Sequence, residues 1–83
     1  MNEWKGKSVL VTGASGFIGG AITQRLLDNH AVVTCLVRAK GWEPHVDLDG
    51  AMVFEGDVVD YDLMCEIISS REIDCVFHLA ANA

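Results

Sequence analysis

The chain has 83 residues, 51% of them hydrophobic and 22% charged, with 12 acidic against 6 basic side chains for a net charge of −6. This length allows one domain at most, and the composition is that of a folded globule rather than a disordered segment. The acidic balance argues against a nucleic-acid partner held through its phosphates and against attraction to an anionic membrane, and no apolar run reaches the roughly 18 residues of a membrane span.

The first element in chain order is Ser8–Thr12, a short, β-branched and nearly all-apolar run. Such runs read as strands buried on both faces, as in parallel sheets. Glycines follow at 13, 16 and 19. The spacing of Ile18, Ile22 and Leu26, with Ala21 beside them, predicts an amphipathic helix from Phe17 to about Asn29. Ala31–Val37 is a second apolar strand closed by Arg38. Ala39–Gly50 holds the single proline, Pro44, and reads as a surface crossover. Ala51–Glu55 is a third strand, ended by Gly56 and Asp57. Asp60 is a plausible N-cap of a second helix, with Asp62 in the first turn, Arg71 in the last, and an apolar face of Leu63, Met64, Ile67 and Ile68. Ile73–Leu79 is a fourth strand.

Short buried strands alternating with helices predict an α/β fold, a parallel sheet with right-handed crossovers. Met1–Lys7 lacks the apolar stretch of a secretory signal. Cys35, Cys65 and Cys75 are odd in number, lack metal-ligand spacing and sit in apolar-rich segments. They read as small buried hydrophobes in a reducing, cytoplasmic compartment, and no metal site is expected.

The segment Thr12-Gly13-Ala14-Ser15-Gly16-Phe17-Ile18-Gly19 lies where a strand ends and a helix begins. Gly13 permits a tight turn, Gly16 lets a pyrophosphate approach the backbone, and Gly19 lets helix and strand pack closely. The helix N-terminus then offers amides and partial positive charge to phosphates. The competing reading is a turn that needs small residues for packing alone. No Lys-Ser/Thr pair follows, so it is not a Walker A loop.

TGASGFIGG resembles the TGxxGxxG motif of the extended short-chain dehydrogenase/reductase family, which includes NAD(P)-dependent nucleotide-sugar epimerases and dehydratases. Gly56-Asp57-Val58 resembles that family's GD(V/I) segment, where the aspartate contacts adenine. His78-Leu79-Ala80-Ala81 resembles its HLAA segment, which lines the ribose and nicotinamide side of the cofactor. The three motifs occur in order and span Lys7–Ala83. The resemblance implies a partial NAD(P)-binding Rossmann domain over residues 1–83, with cofactor contacts from Gly13, Ser15, Gly16, Phe17, Ile18, Gly19, Arg38, Asp57, Val58, Leu79, Ala80 and Ala81. It also implies the N-terminal half of a doubly wound sheet, its four parallel strands in spatial order 3-2-1-4, and a nucleotide-sugar substrate and a homodimer for the parent enzyme. Each match has a plainer reading. Asp57 could cap a turn, His78 could be a packed core residue, and Trp4 and Trp42 read as packing residues.

The family's catalytic pair is Tyr-x-x-x-Lys. Here the one tyrosine, Tyr61, is followed four positions on by Cys65, and Lys5, Lys7 and Lys40 all precede it. No catalytic residue is assigned. The chain looks like the N-terminal piece of an NAD(P)-dependent epimerase, dehydratase or reductase, the alternative being a non-catalytic nucleotide-binding module. NAD-binding members carry an acidic residue at the end of the second strand. Val37 falls there, followed by Arg38, which can hold a 2′-phosphate, so NADP is the expected cofactor. Arg38 could instead be solvated or stack on adenine, and Asp47 or Asp49 could supply the carboxylate.

Overall fold

The computed structural model describes residues 3–14, 16–38 and 50–79. Its elements are β1 (Ser8–Thr12), α1 (Phe17–Asp28), β2 (Val32–Val37), β3 (Met52–Glu55), α2 (Tyr61–Ser70) and β4 (Cys75–His78). The four strands form one sheet in the order β3-β2-β1-β4, every neighbouring pair parallel, as the alternation of elements predicts. The crossover segment 39–49, with Pro44 and Trp42, lies outside the described residues.

β1 is buried along its whole length because both its faces are covered. Val9 and Val11 pack with Val33, Cys35, Val37 and Leu26 of α1. Leu10 points the other way, into a cluster with Leu36 and Ile67 of α2. The two-residue period of the strand therefore sends alternate side chains to two different helices. Trp4 adds to the α1 side, with its ring centroid 5.8 Å from that of Phe77.

The apolar stripe of α1 differs from the sequence expectation. Its buried residues are Gly19, Gly20, Thr23 and Leu26, whereas Ile18 is 68% exposed and Ala21 is exposed. The small residues face the sheet because Gly19 lies hard against the turn after β1, which sets the rotation of the helix. In α2, Ile67 is buried and Leu63 and Met64 pack beside it, while Ile68 is largely exposed. Asp60 is the N-cap, its Oδ1 accepting the Leu63 amide at 3.1 Å. Arg71 is the C-cap rather than a last-turn residue. Its Nε donates to Thr34 Oγ1 of β2 at 3.1 Å, so it braces α2 against the sheet.

Strand boundaries are shorter than the apolar runs. Ile73 does not begin β4, because its amide is taken by the Ile68 carbonyl at the end of α2. Asp74 then clamps the chain to β1. Its amide donates to the Ser8 carbonyl at 2.8 Å, and its Oδ2 accepts the Ser8 amide at 2.9 Å. The cysteines divide: Cys35 is buried, Cys75 half-buried and Cys65 exposed. The expectation of three buried thiols fails for Cys65, whose position on α2 faces away from the sheet.

Both helices end in the same paired hydrogen bonds. Ala31 N–H bonds to Leu26 O and His30 N–H to Leu27 O; Ile73 N–H bonds to Ile68 O and Glu72 N–H to Ser69 O. This is the Schellman arrangement, in which the residue past the cap takes a left-handed conformation and is usually glycine. Here those residues are His30 (φ 63°) and Glu72 (φ 50°). A side chain costs roughly 1–2 kcal/mol in that region, partly offset by the extra unfolded-state freedom of glycine. Glu72→Gly is therefore expected to stabilise the fold by about 0.5–1 kcal/mol, read as a higher midpoint in urea unfolding at unchanged slope.

Candidate functional site

β1 leads into the glycine turn through Thr12. Gly13 has φ 74°, a left-handed conformation that favours glycine. Its amide donates to the Leu36 carbonyl at 3.2 Å, continuing the β1–β2 ladder, and its carbonyl accepts the Gly16 amide at 3.0 Å. Gly19 closes the turn: a Cβ there would overlap the Gly13 carbonyl and come within 3.1 Å of Ala14 Cα. Gly16 is less constrained, since its Cβ would meet one atom, the Gly13 oxygen, at 3.3 Å.

The N-terminus of α1 carries neither a side-chain hydrogen bond from its cap residue Gly16 nor an acidic residue in its first turn. Its first intrahelical bond runs from Gly20 N–H to Gly16 O at 2.9 Å. The amides of Ile18 and Gly19 precede that bond, and helix geometry gives them no intrahelical acceptor. α2 is the opposite case, with Asp60 capping and Asp62 in the first turn. One helix fills its positive end with its own carboxylates; the other presents it.

That end opens onto a cleft of about 290 Å³ lined by Gly13, Gly16, Phe17, Ile18, Gly19 and Leu79. The cleft lies beyond the carboxyl ends of β1 and β4, where the strand order reverses and the covering helix changes face. Open α/β sheets bind ligands at that point. Thr12 joins the two strand ends: its Oγ1 accepts the Leu79 amide at 3.1 Å and lies 2.9 Å from His78 Nδ1. His78 is exposed, so the packed-core reading of this histidine does not hold.

The remaining expected residues fall elsewhere. Arg38 follows buried Val37 and is exposed. Asp57 follows β3 at the same edge of the sheet, where the Gly56 amide donates to the Val37 carbonyl at 2.8 Å. Asp57 Oδ1 accepts the Val59 amide at 3.1 Å, so the carboxylate does cap a turn, with its other oxygen in no further hydrogen bond among the described residues. The Val58 side chain packs in the α2-side cluster. Ser15, Ala80 and Ala81 lie outside the described residues, as do Lys40, Asp47 and Asp49. Sequence reasoning passed over Thr12 and Thr23, both fully buried. The signal was available, since a polar residue inside or beside an apolar run asks for a hydrogen-bond partner.

Among the described residues, two titratable groups depart from their ordinary values. The Tyr61 phenol is pushed up by its hydrogen bond with Cys65, by that thiol's charge and by slight burial. This is the wrong direction for an acid/base catalyst at neutral pH. Burial pushes the Cys35 thiol up, with the Thr23 hydroxyl opposing. Among the described residues, no group of three or more His, Cys, Asp or Glu could hold a metal, and no helix is long and apolar enough to cross a membrane.

A family profile described as NAD dependent epimerase/dehydratase matches residues 9–83. The chain belongs to the NAD dependent epimerase/dehydratase family. It is 32% identical over 77 residues to a dTDP-6-deoxy-L-talose 4-dehydrogenase (NAD(+)) of Aggregatibacter actinomycetemcomitans, covering 92% of this chain and 28% of that enzyme. It superposes on UDP-glucose 4-epimerase of Thermotoga maritima, solved with UDP-glucose, with a TM-score of 0.83 at 32% identity, covering 92% of this chain and 25% of that one. The Bordetella bronchiseptica enzyme WbmH in complex with NAD+ gives a TM-score of 0.82 at 32% identity, over 93% and 26%. The chain thus spans 25% to 28% of the length of these relatives.

Within this family member Gly16 and Gly19 bear different loads. Gly19→Ala is expected to cost about 1–3 kcal/mol of stability, because backbone has to move to admit the methyl group. Gly16→Ala is expected to cost well under 1 kcal/mol, since one contact relaxes. Equal thermal-unfolding midpoints for the two variants would contradict the Gly13–Gly19 contact. Iodoacetamide labelling of the native protein near pH 8 is expected to modify Cys65 and spare Cys35 until denaturant is added, because the thiolate reacts and burial keeps Cys35 protonated. Peptide mass spectrometry reads both.

Proposed function

We propose that this chain forms the dinucleotide-binding part of an NAD(P)-dependent epimerase or dehydratase acting on a nucleotide sugar. One observation carries the reading: the N-terminus of α1, with a glycine as its cap residue and no carboxylate in its first turn, opens onto the cleft at the switch point between β1 and β4. A pyrophosphate fits such a place because backbone amides and the helix dipole favour an anion, and because the Gly13–Gly19 contact keeps side chains out of the turn. The amides of Ile18 and Gly19 would hold the phosphates, and Leu79 would form the opposite wall. Asp57, at the same sheet edge and with one carboxylate oxygen unbonded among the described residues, would accept from the adenine amino group. The substrates named for the relatives above, a dTDP-deoxysugar and UDP-glucose, support the substrate class.

The cofactor, when bound, supplies the hydride chemistry. The residues of this chain bind and orient it, and residues 1–83 act as a partial Rossmann domain, with Tyr61 followed by Cys65 in place of a Tyr-x-x-x-Lys pair. The three free thiols support a reducing, cytoplasmic setting, and the parent enzyme is proposed as a homodimer.

The proposal includes a preference for NADP. No carboxylate stands between Ala31 and Arg38, Val37 is buried and Arg38 is exposed beside it. A guanidinium can take a 2′-phosphate through two charge-assisted bonds worth roughly 1.5–3 kcal/mol, or about 10- to 100-fold in affinity. Fluorescence titration of the full-length protein is expected to give NADPH a dissociation constant at least tenfold below that of NADH, with Arg38→Ala weakening NADPH alone. Equal affinities for the two nucleotides would overturn the preference and leave the dinucleotide site standing.

A further inference from the structure

We infer that Thr23, one turn below the glycine motif and at the seam between α1 and β2, is a positioning residue for the cofactor loop. The inference rests on the dinucleotide reading above. Thr23 is fully buried, and its Oγ1 donates to the Gly19 carbonyl at 2.8 Å. The same hydroxyl also meets the Cys35 thiol, with Sγ 3.8 Å away, in a weaker contact. The hydroxyl links the first turn of α1 to the buried centre of β2.

That turn is the one that carries Gly19 against Gly13. α1 is therefore held at two points along its axis. The upper point is backbone against backbone, where a Cβ on Gly19 would overlap the Gly13 carbonyl. The lower point is side chain against side chain, Thr23 with Cys35. A threonine hydroxyl bonded to the carbonyl four residues earlier also bends the helix locally, and here the bend falls within the turn whose amides face the cleft. Without the hydroxyl, the Gly19 carbonyl keeps its backbone bond alone, and the amides of Ile18 and Gly19 lose the orientation that the loop contact by itself does not fix. Packing needs no hydroxyl at this position: valine has nearly the same shape and fills the same space.

The test pairs two substitutions in the full-length protein and reads each by NADH and NADPH fluorescence titration and by thermal unfolding. Thr23→Val keeps the shape and loses the hydroxyl. It is expected to weaken nucleotide binding roughly 3- to 10-fold, the worth of one hydrogen bond, with an unfolding midpoint near that of the wild type. Thr23→Ser keeps the hydroxyl and loses a methyl group. It is expected to unfold at lower temperature and to bind like the wild type. A merely structural residue would give affinities that fall in step with stability, and that pattern would overturn the inference. So would wild-type affinity in Thr23→Val. If Thr23→Val does not fold, Thr23→Ala is compared with Thr23→Ser in its place, and equal affinities of that pair would overturn the inference. A wild-type protein that binds neither nucleotide would overturn the dinucleotide reading itself, and the role of Thr23 with it.

Discussion

The close approach of Gly19 to the Gly13 carbonyl is the contact on which the other features of the site depend. It leaves no room for a Cβ, and it brings the start of α1 down onto the turn that leaves β1. The rotation of the helix follows. Gly19, Thr23 and Leu26 face the sheet, and Phe17 and Ile18 are turned outward to the cleft. Larger residues at the contact would lift the helix and bury a different stripe. An apolar pattern read by itself places Ile18 in the core; the backbone contact overrides it, because steric overlap between backbone atoms costs more than exposing one isoleucine.

The sheet supplies the second constraint. β4 is tied to β1 at both ends, through Asp74 and Ser8 below and through Leu79 and Thr12 above. These bonds fix the register that places Leu79 opposite the glycine turn. Arg71 adds a tie from α2 to β2 through Thr34, so the helix on the far face is coupled to the same strands. The cleft is thus a by-product of two helices covering opposite faces of one sheet. The first turn of α1 lines one side of it, and Leu79, past the end of β4, lines the other.

Much of this was legible in the sequence, for identifiable reasons. The four strands follow from short apolar runs separated by helix patterns, their order from the family resemblance that the three motifs carry, and Asp60 announces its helix because an aspartate cap is a local device. Gly13, Gly16 and Gly19 mark the turn because glycine spacing records backbone geometry directly. What was not legible depends on partners distant in sequence or on backbone strain. Arg71 reads as a dipole-matching charge until Thr34 appears beneath it. His30 and Glu72 give no sign of a left-handed conformation, since glycine is the residue that advertises one. Cys65 and Cys35 look alike in composition, and the rotation of α2 alone separates them.

Charge poses the remaining problem for the site. A chain with a net charge of −6 repels a dinucleotide at long range, yet the proposed ligand is an anion. Distance resolves the conflict. At physiological ionic strength, exposed charges are largely screened beyond about 8 Å, whereas a backbone amide meets a phosphate oxygen at hydrogen-bond distance, near 3 Å. What matters is the charge within contact distance, and there the first turn of α1 holds no acidic residue, while Asp60 and Asp62 stand at the other helix. The acidic surplus therefore weakens capture over a distance and leaves the contact energy intact. On the proposed reading, the pyrophosphate contact is a local property of one helix end, and the glycines keep that end accessible.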